Sequence, residues 1–289
     1  MALRKYLIIF CLYGAWLSSP VGLENIGNIC YMNAVLQALF ACEPLNKELQ
    51  DKRLALNPIV SEYAALMRSA REEQGGKLSP ASIVTCSYLQ KFFPGDNPLE
   101  PKQQDASEFL GKFIENLPKK VQDLFAWSYL TFPENRTDKP IPLQGLINEQ
   151  DVPHKKILVI RLIREMATPV NEVLKTEKIT NATPLPADLS LKIGNETYKL
   201  FSCIIHYGDT GGGHYSSVVR HGTQWYYCDD LMVKSIAEQE TIRYTDGPHM
   251  QGVVYLFERV DQENIDALFK ELQRNITALY LVNHITSLK

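Results

Sequence analysis

The hydrophobic period of this chain changes near residue 157, and that switch limits its folds more than any other feature. Before it, apolar residues recur at helical spacing. Met32, Val35, Leu36 and Leu39 follow a turn-rich segment holding Asn25, Gly27 and Asn28, so Cys30 stands where a loop enters a helix. Phe109, Leu110, Phe113, Ile114 and Leu117 mark one face of a second helix within residues 102–117. Residues 44–93 read as mixed helix broken by Pro58, Gly75–Gly76 and Pro80, and residues 118–156 as loops and short strands. After the switch, Ile157–Leu162, Leu200–Tyr207, Tyr215–Arg220, Gln224–Cys228 and Val253–Glu258 are strand patterns. A glycine-rich loop, Gly208–Gly213, separates the second from the third. Helices first and strands after predict an α+β fold.

Composition narrows the function. The 289 residues suffice for a sizeable core. A net charge of −3 lacks the basic excess of a nucleic-acid binder. No apolar run reaches the roughly 20 residues that span a bilayer as a helix. The cysteines are Cys11, Cys30, Cys42, Cys86, Cys203 and Cys228, with no CxxC pair, so a structural zinc site is not expected. Residues 1–20 have the layout of a secretory leader: basic Arg4 and Lys5, the apolar run Tyr6–Leu17, then Ser18 and Ser19. The alternative is an N-terminal core element. Residues 21–260 read as the folded domain and 261–289 as a helical tail.

Several residues suit nucleophilic catalysis. A reactive cysteine works as its thiolate, which a helix N-terminus and a nearby imidazolium both favour. Cys30 has the first by position. His214 follows the glycine-rich loop, where a peptide backbone has room to approach. Asp229 ends the strand pattern after His214, so two antiparallel strands would set it beside that histidine as an orienter. Asn25 offers an amide N–H for an oxyanion. Asp105 and Glu108 share a helix face and could hold arginines of an extended peptide. Each also has an ordinary reading: a core thiol, a hairpin-end histidine, turn residues and a first helical turn rich in acid.

Taken together, the segments resemble the ubiquitin-specific protease family of papain-like deubiquitinases. That family's cysteine box reads roughly GLxNLGNTCYMNxxLQxL, and Gly22–Leu39 is GLENIGNICYMNAVLQAL. Its QxDAxEFL motif appears as QQDASEFL over Gln103–Leu110. Its strand VLVIHLKRF is echoed by ILVIRLIRE over Ile157–Glu165. Its histidine box appears as Gly213–Tyr215 followed by Trp225–Asp230, and AYLLFYxR is echoed by Val253–Arg259. The resemblance implies a papain-like fold with a helical thumb and an antiparallel β palm. It implies Cys30 as nucleophile, His214 as general base, Asp229 as third triad member, Asn25 at the oxyanion and Asp230 as an auxiliary polar residue. Gln103, Asp105, Glu108, Gly212, Gly213 and Tyr215 would bind the substrate tail, with Gly208–Gly213 as the family's blocking loop.

The family usually inserts a long fingers region, often with zinc-binding cysteines, before the VLVIHLKRF-like strand. Residues 111–156 contain no cysteine, so truncated fingers, no structural zinc and no cofactor are expected. The implied partners are ubiquitin or ubiquitin-conjugated proteins, with no nucleic acid and no stable membrane insertion. The leader adds a further expectation: a secreted microbial effector acting in a host cytoplasm, with a cytoplasmic enzyme as the alternative. Competing functions are a protease for a ubiquitin-like modifier, a catalytically silent ubiquitin-binding module and a general papain-like peptidase.

Overall fold

The computed structural model describes residues 19–72, 76–81, 83, 102–134, 137–148, 152–170, 173–209, 212–246 and 250–261. The leader-like segment up to Ser18, the tail beyond Asp261, Cys11, Cys86, Thr210 and Gly211 lie outside them. Among the described residues no helix is long and apolar enough to cross a membrane.

Helix α1 (Cys30–Phe40) is buried along its whole length. It follows a residue with no side-chain cap, Ile29. A helix buried all round is a core element, so its polar residues must find partners inside the protein. Around it lie α2 (Glu43–Glu48), a 3-10 turn (Lys52–Leu56), α3 (Pro58–Glu72), α4 (Ala106–Glu115) and α5 (Lys119–Gln122). Pro58 starts α3 rather than merely interrupting the chain, because its missing N–H has no partner in a first helical turn anyway. Tyr31 meets Phe109 edge-on at 5.7 Å, and Tyr63 meets Phe113 at 5.7 Å. Such pairs add about 0.5–1.5 kcal/mol beyond burial.

The strands begin with β1 (Gly22–Leu23) and β2 (Lys77–Leu78), a short parallel pair. Then come β3 (Phe125–Thr131), helix α6 (Leu143–Leu146), β4 (Ile157–Ile163), β5 (Glu165–Val170), β6 (Val173–Lys178), β7 (Ser190–Ile193), β8 (Glu196–Asp209), β9 (Gly212–His221), β10 (Gln224–Asp229), β11 (Met232–Ile236), helix α7 (Glu238–Thr245) and β12 (Gln251–Arg259). The main sheet runs β11-β10-β9-β8-β12-β4-β3, with β7 beside β8. All its pairings are antiparallel except β3 on β4. One core cluster lies between the sheet and α1, α3 and α4, and a second lies on the α7 side. This is the expected α+β papain-like arrangement of a helical half against a mostly antiparallel half.

Two local readings change. The described ends of the glycine-rich segment belong to paired strands rather than to a loop: Gly208 pairs with Gly213 and Asp209 with Gly212. Gly208 takes φ +100°, and the missing Cβ of Gly213 leaves room for the Tyr207 carbonyl and the His206 ring. Short elements β5, β6, β7, β11 and α7 also add to the sequence-based pattern. β6 and β11 are largely solvent-facing, as Leu174 at 70% exposure shows, and β7 is buried but only four residues long, so these elements carry little apolar periodicity.

Gly22 packs so closely that a Cβ there would collide with the backbone of Leu231. Gly22→Ala is expected to cost about 1–3 kcal/mol, the usual range for overpacking. Equilibrium denaturation checks this, and an unchanged midpoint would refute the contact.

Candidate active site

The site forms where the segment before α1 meets the turn between β10 and β11. Asn25 accepts from the backbone N–H groups of Gly27 (3.1 Å) and Ile29 (3.2 Å) through Oδ1, which shapes the loop that delivers Cys30. Its Nδ2 donates to Asp230 Oδ2 at 2.8 Å. Asp230 Oδ1 accepts from Asn33 Nδ2 at 2.8 Å, and its backbone carbonyl accepts from Leu23 N–H at 2.9 Å. Asn33 also donates to the Leu23 and Glu24 carbonyls, and Gln37 donates to the Val21 carbonyl at 2.7 Å. The polar residues of α1 therefore hold the strand that precedes it. Asn33 and Gln37 were missed as site residues; their signal was an amide recurring one turn apart in an otherwise apolar helix.

Cys30 is the first residue of α1 and is 4% exposed. His214 on β9 faces Asp229 at the end of β10, with Nε2 2.5 Å from Asp229 Oδ1. This contact and a hydrogen bond to Cys30 push the imidazole up to about 10, against the opposing effect of partial burial. Thiol, imidazole and carboxylate thus stand in series, able to pass a proton from sulfur to nitrogen and to hold the resulting imidazolium. The antiparallel register of β9 and β10 creates the pair, as Cys228 lies opposite Ser217.

His214, Asp229 and Asp230 converge, with polar atoms within 4.8 Å of one another. Each carboxylate oxygen is already an acceptor. Asp229 Oδ1 takes His214, Asp229 Oδ2 takes Tyr227, and Asp230 takes Asn33 and Asn25. The donor set fits polar anchoring better than a cation.

A cleft of about 480 Å³ opens beside His214, between the start of α4 and the β8–β9 hairpin. Gln103, Asp105, Glu108, Gly212, Gly213 and Tyr215 all line it, while Cys30, His214 and Asn25 are not among its walls. Asp105 is the N-cap of α4, accepting from Glu108 N–H at 2.8 Å, and it lies 3.4 Å from an Arg161 nitrogen. Glu108 pairs with Lys112 at 2.6 Å. Both carboxylates therefore have partners within the chain. Gln103 Nε2 donates to the Gly213 carbonyl at 2.5 Å. From the opposite wall, Lys178 Nζ reaches the Gly208 carbonyl at 2.5 Å and His206 Nδ1 at 3.2 Å. Burial and the Lys178 charge hold His206 down to about 4, so its neutral ring accepts from the ammonium. Arg161, Lys178 and His206 carried no signal in the sequence reading, because they meet only through the fold.

The family model for ubiquitin carboxyl-terminal hydrolases matches residues 21–150 and 148–257. A probable ubiquitin carboxyl-terminal hydrolase 4 of Schizosaccharomyces pombe is 36% identical over 112 residues, covering 34% of this chain and 18% of that protein. Ubiquitin carboxyl-terminal hydrolase 4 of Arabidopsis thaliana is 26% identical over 246 residues, covering 79% of this chain and 62% of that protein. Ubiquitin carboxyl-terminal hydrolase 23 of the same plant is 24% identical over 293 residues, covering 75% of this chain and 34% of that protein. The chain spans less than a fifth of the yeast relative's length, and 14% of a dog relative, ubiquitin carboxyl-terminal hydrolase 37. With the model matched across nearly all of the described residues, the chain belongs to the ubiquitin carboxyl-terminal hydrolase family.

Proposed function

We propose that this chain is a thiol-dependent deubiquitinase that hydrolyses the peptide or isopeptide bond after the C-terminal glycine of ubiquitin. The observation that carries the reading is the hydrogen-bonded series Cys30, His214 and Asp229, with His214 flanked in sequence by Gly213 and Tyr215 of a cleft also lined by Gln103, Asp105 and Glu108. In the reaction, the Cys30 sulfur attacks the glycine carbonyl and the carbon–oxygen π electrons move onto oxygen. Backbone N–H groups beside Cys30 and the second N–H of Asn25 hold that oxyanion. The tetrahedral species collapses as His214 gives its proton to the departing amine, leaving a thioester. Water, deprotonated by His214, then attacks the thioester and returns the thiol. Asp229 keeps the imidazole oriented through both halves. Asp230 acts one step back, by fixing Asn25 and Asn33.

A modifier other than ubiquitin is the second reading. It is favoured by the presence of Arg161 and Lys178 among the acidic residues of the cleft, which gives a tail carrying acid a partner as well. The leader-like composition of residues 1–20 supports a finer reading, an exported microbial effector acting on host conjugates. It rests on sequence alone.

A ubiquitin probe with a C-terminal electrophile is expected to form an adduct with the wild type and none with Cys30→Ala, read by mass. Adducts only with another modifier's probe would support the second reading, and none with any would overturn the enzyme reading.

The His214 shift has a definite sign. A folded value near 10 against an ordinary 6.5 stabilises the folded state fully below pH 6.5, and that contribution is lost as pH rises through about 10. Cys30→Ala removes one of its two hydrogen bonds, so the imidazole resonance, followed by NMR, is expected to titrate at lower pH in the variant. Identical titrations would sink the proposed contact.

For export, the N-terminal residue of protein recovered outside the producing cell is expected to lie near position 20. Recovery only inside that cell, with Met1 intact, would end the effector reading.

A further inference from the structure

Asp229 has two carboxylate oxygens, and the triad as described uses one. The second, Oδ2, accepts from the Tyr227 hydroxyl at 3.3 Å. Tyr227 has one proton, so in its short hydroxyl–hydroxyl contact with Tyr207 it must be the acceptor and Tyr207 the donor. Tyr207 in turn accepts from Ser216 Oγ at 3.3 Å. The hydroxyls of Ser216, Tyr207 and Tyr227 therefore point in one direction, toward the carboxylate that faces His214. Donors aligned in series polarise one another.

The supports of this chain are rigid. Tyr207 on β8 lies opposite His214 on β9, and Tyr227 and Asp229 share the same side of β10. Tyr227 is 5% exposed, and its ring stacks on Tyr244 of α7, with centroids 4.5 Å apart and planes at 23°. Burial raises its hydroxyl well above the ordinary range, so it remains a donor at any working pH. A carboxylate turns easily about its last torsion, which is broad and roughly two-fold. Asp229 is partly open to solvent, so packing alone does not prevent that turn.

We infer that Tyr227, backed by Tyr207 and Ser216, is a positioning residue that locks the Asp229 carboxylate so that Oδ1 stays on His214. The hydroxyl chain touches no substrate atom. It acts through Asp229 on the His214 imidazolium, and through that on the Cys30 thiolate. The inference rests on the proposed role of Cys30 as nucleophile.

The test compares wild type, Tyr227→Phe, Asp229→Ala and the double variant, with thermal melting as a check on folding. Two quantities are measured: kcat and KM on a fluorogenic ubiquitin C-terminal amide, and the pH dependence of Cys30 alkylation by iodoacetamide, read on the Cys30 peptide by mass spectrometry. Tyr227→Phe is expected to lower kcat about tenfold, the size of one hydrogen bond to a charged group, with KM unchanged. The alkaline limb of Cys30 alkylation is expected to move to lower pH, because a loosened Asp229 holds the imidazolium less well. In the Asp229→Ala background the tyrosine change is expected to do nothing further. An unchanged kcat and alkylation profile in Tyr227→Phe, or an equal loss with and without Asp229, would overturn the positioning role. Should Tyr227→Phe melt early, Tyr207→Phe gives the same readout one step back, with a smaller effect in the same direction expected and none refuting it. Failure of the underlying reading looks different: wild-type Cys30 would then alkylate no faster than an unactivated thiol.

Discussion

The Asp230 carboxylate is the tie on which the geometry of the site depends. It sits in a left-handed turn residue, φ +49°, between β10 and β11. One oxygen holds Asn25, the other holds Asn33, and the backbone carbonyl holds Leu23. Those residues belong to the loop and helix that carry Cys30, while Asp229, next in the chain, belongs to the strand that orients His214. Asp230 thus ties the segment that carries Cys30 to the strand that carries Asp229. Left-handed backbone is unfavourable for most side chains and is tolerated by Asp when its short carboxylate is bonded nearby. Here that carboxylate is fully engaged. The close packing of Gly22 on Leu231 keeps the same junction from opening sideways.

Because the tie crosses between halves, neither half contains a site alone. The start of α1 supplies sulfur and backbone N–H groups, and β9 with β10 supplies imidazole and carboxylate. α1 packs directly on this sheet, with Ile204, Val219 and Cys228 joining the residues of α1 in one core. Burial of each large side chain there contributes about 1.5–3 kcal/mol. The apolar core sets the coarse placement, and the polar ties to Asp230 set the last fraction of an ångström. That division suits the physics: apolar packing is non-directional, whereas hydrogen bonds fix angles.

Much of this was legible in the residues. The turn-rich segment before Cys30, the apolar face of α4 and the long strands after residue 157 all carried periodicity or turn chemistry, and each appears where it was expected. The pairing of His214 with Asp229 followed from one antiparallel hairpin. What escaped the sequence depended on partners far away along the chain. Lys178, the last residue of β6, meets His206 of β8 from 28 residues away along the chain. Tyr207 and Tyr227 read as ordinary strand aromatics until the register aligns their hydroxyls behind Asp229. The glycine-rich stretch was read as a loop because glycine signals turns locally, yet Gly208, Asp209, Gly212 and Gly213 are paired strand residues, and Gly213 admits a close backbone approach.

The polar residues of the cleft are paired within the chain. Its acidic residues Asp105 and Glu108 are held by Arg161 and Lys112, and the hairpin tip is held by Gln103 and Lys178. The ion pairs involve half-exposed side chains, for which a typical contribution is about 0–1 kcal/mol. Pairs that weak keep the carboxylates pointed in one direction without resisting exchange. A basic tail entering the cleft would displace one cation with another and gain nearly the full new contact. A strongly buried pair would not serve, since breaking it strands a charge at several kcal/mol. On the proposed reading, the partial exposure of Asp105 and Arg161 is therefore what lets a wall of the cleft be both well ordered when empty and available when filled.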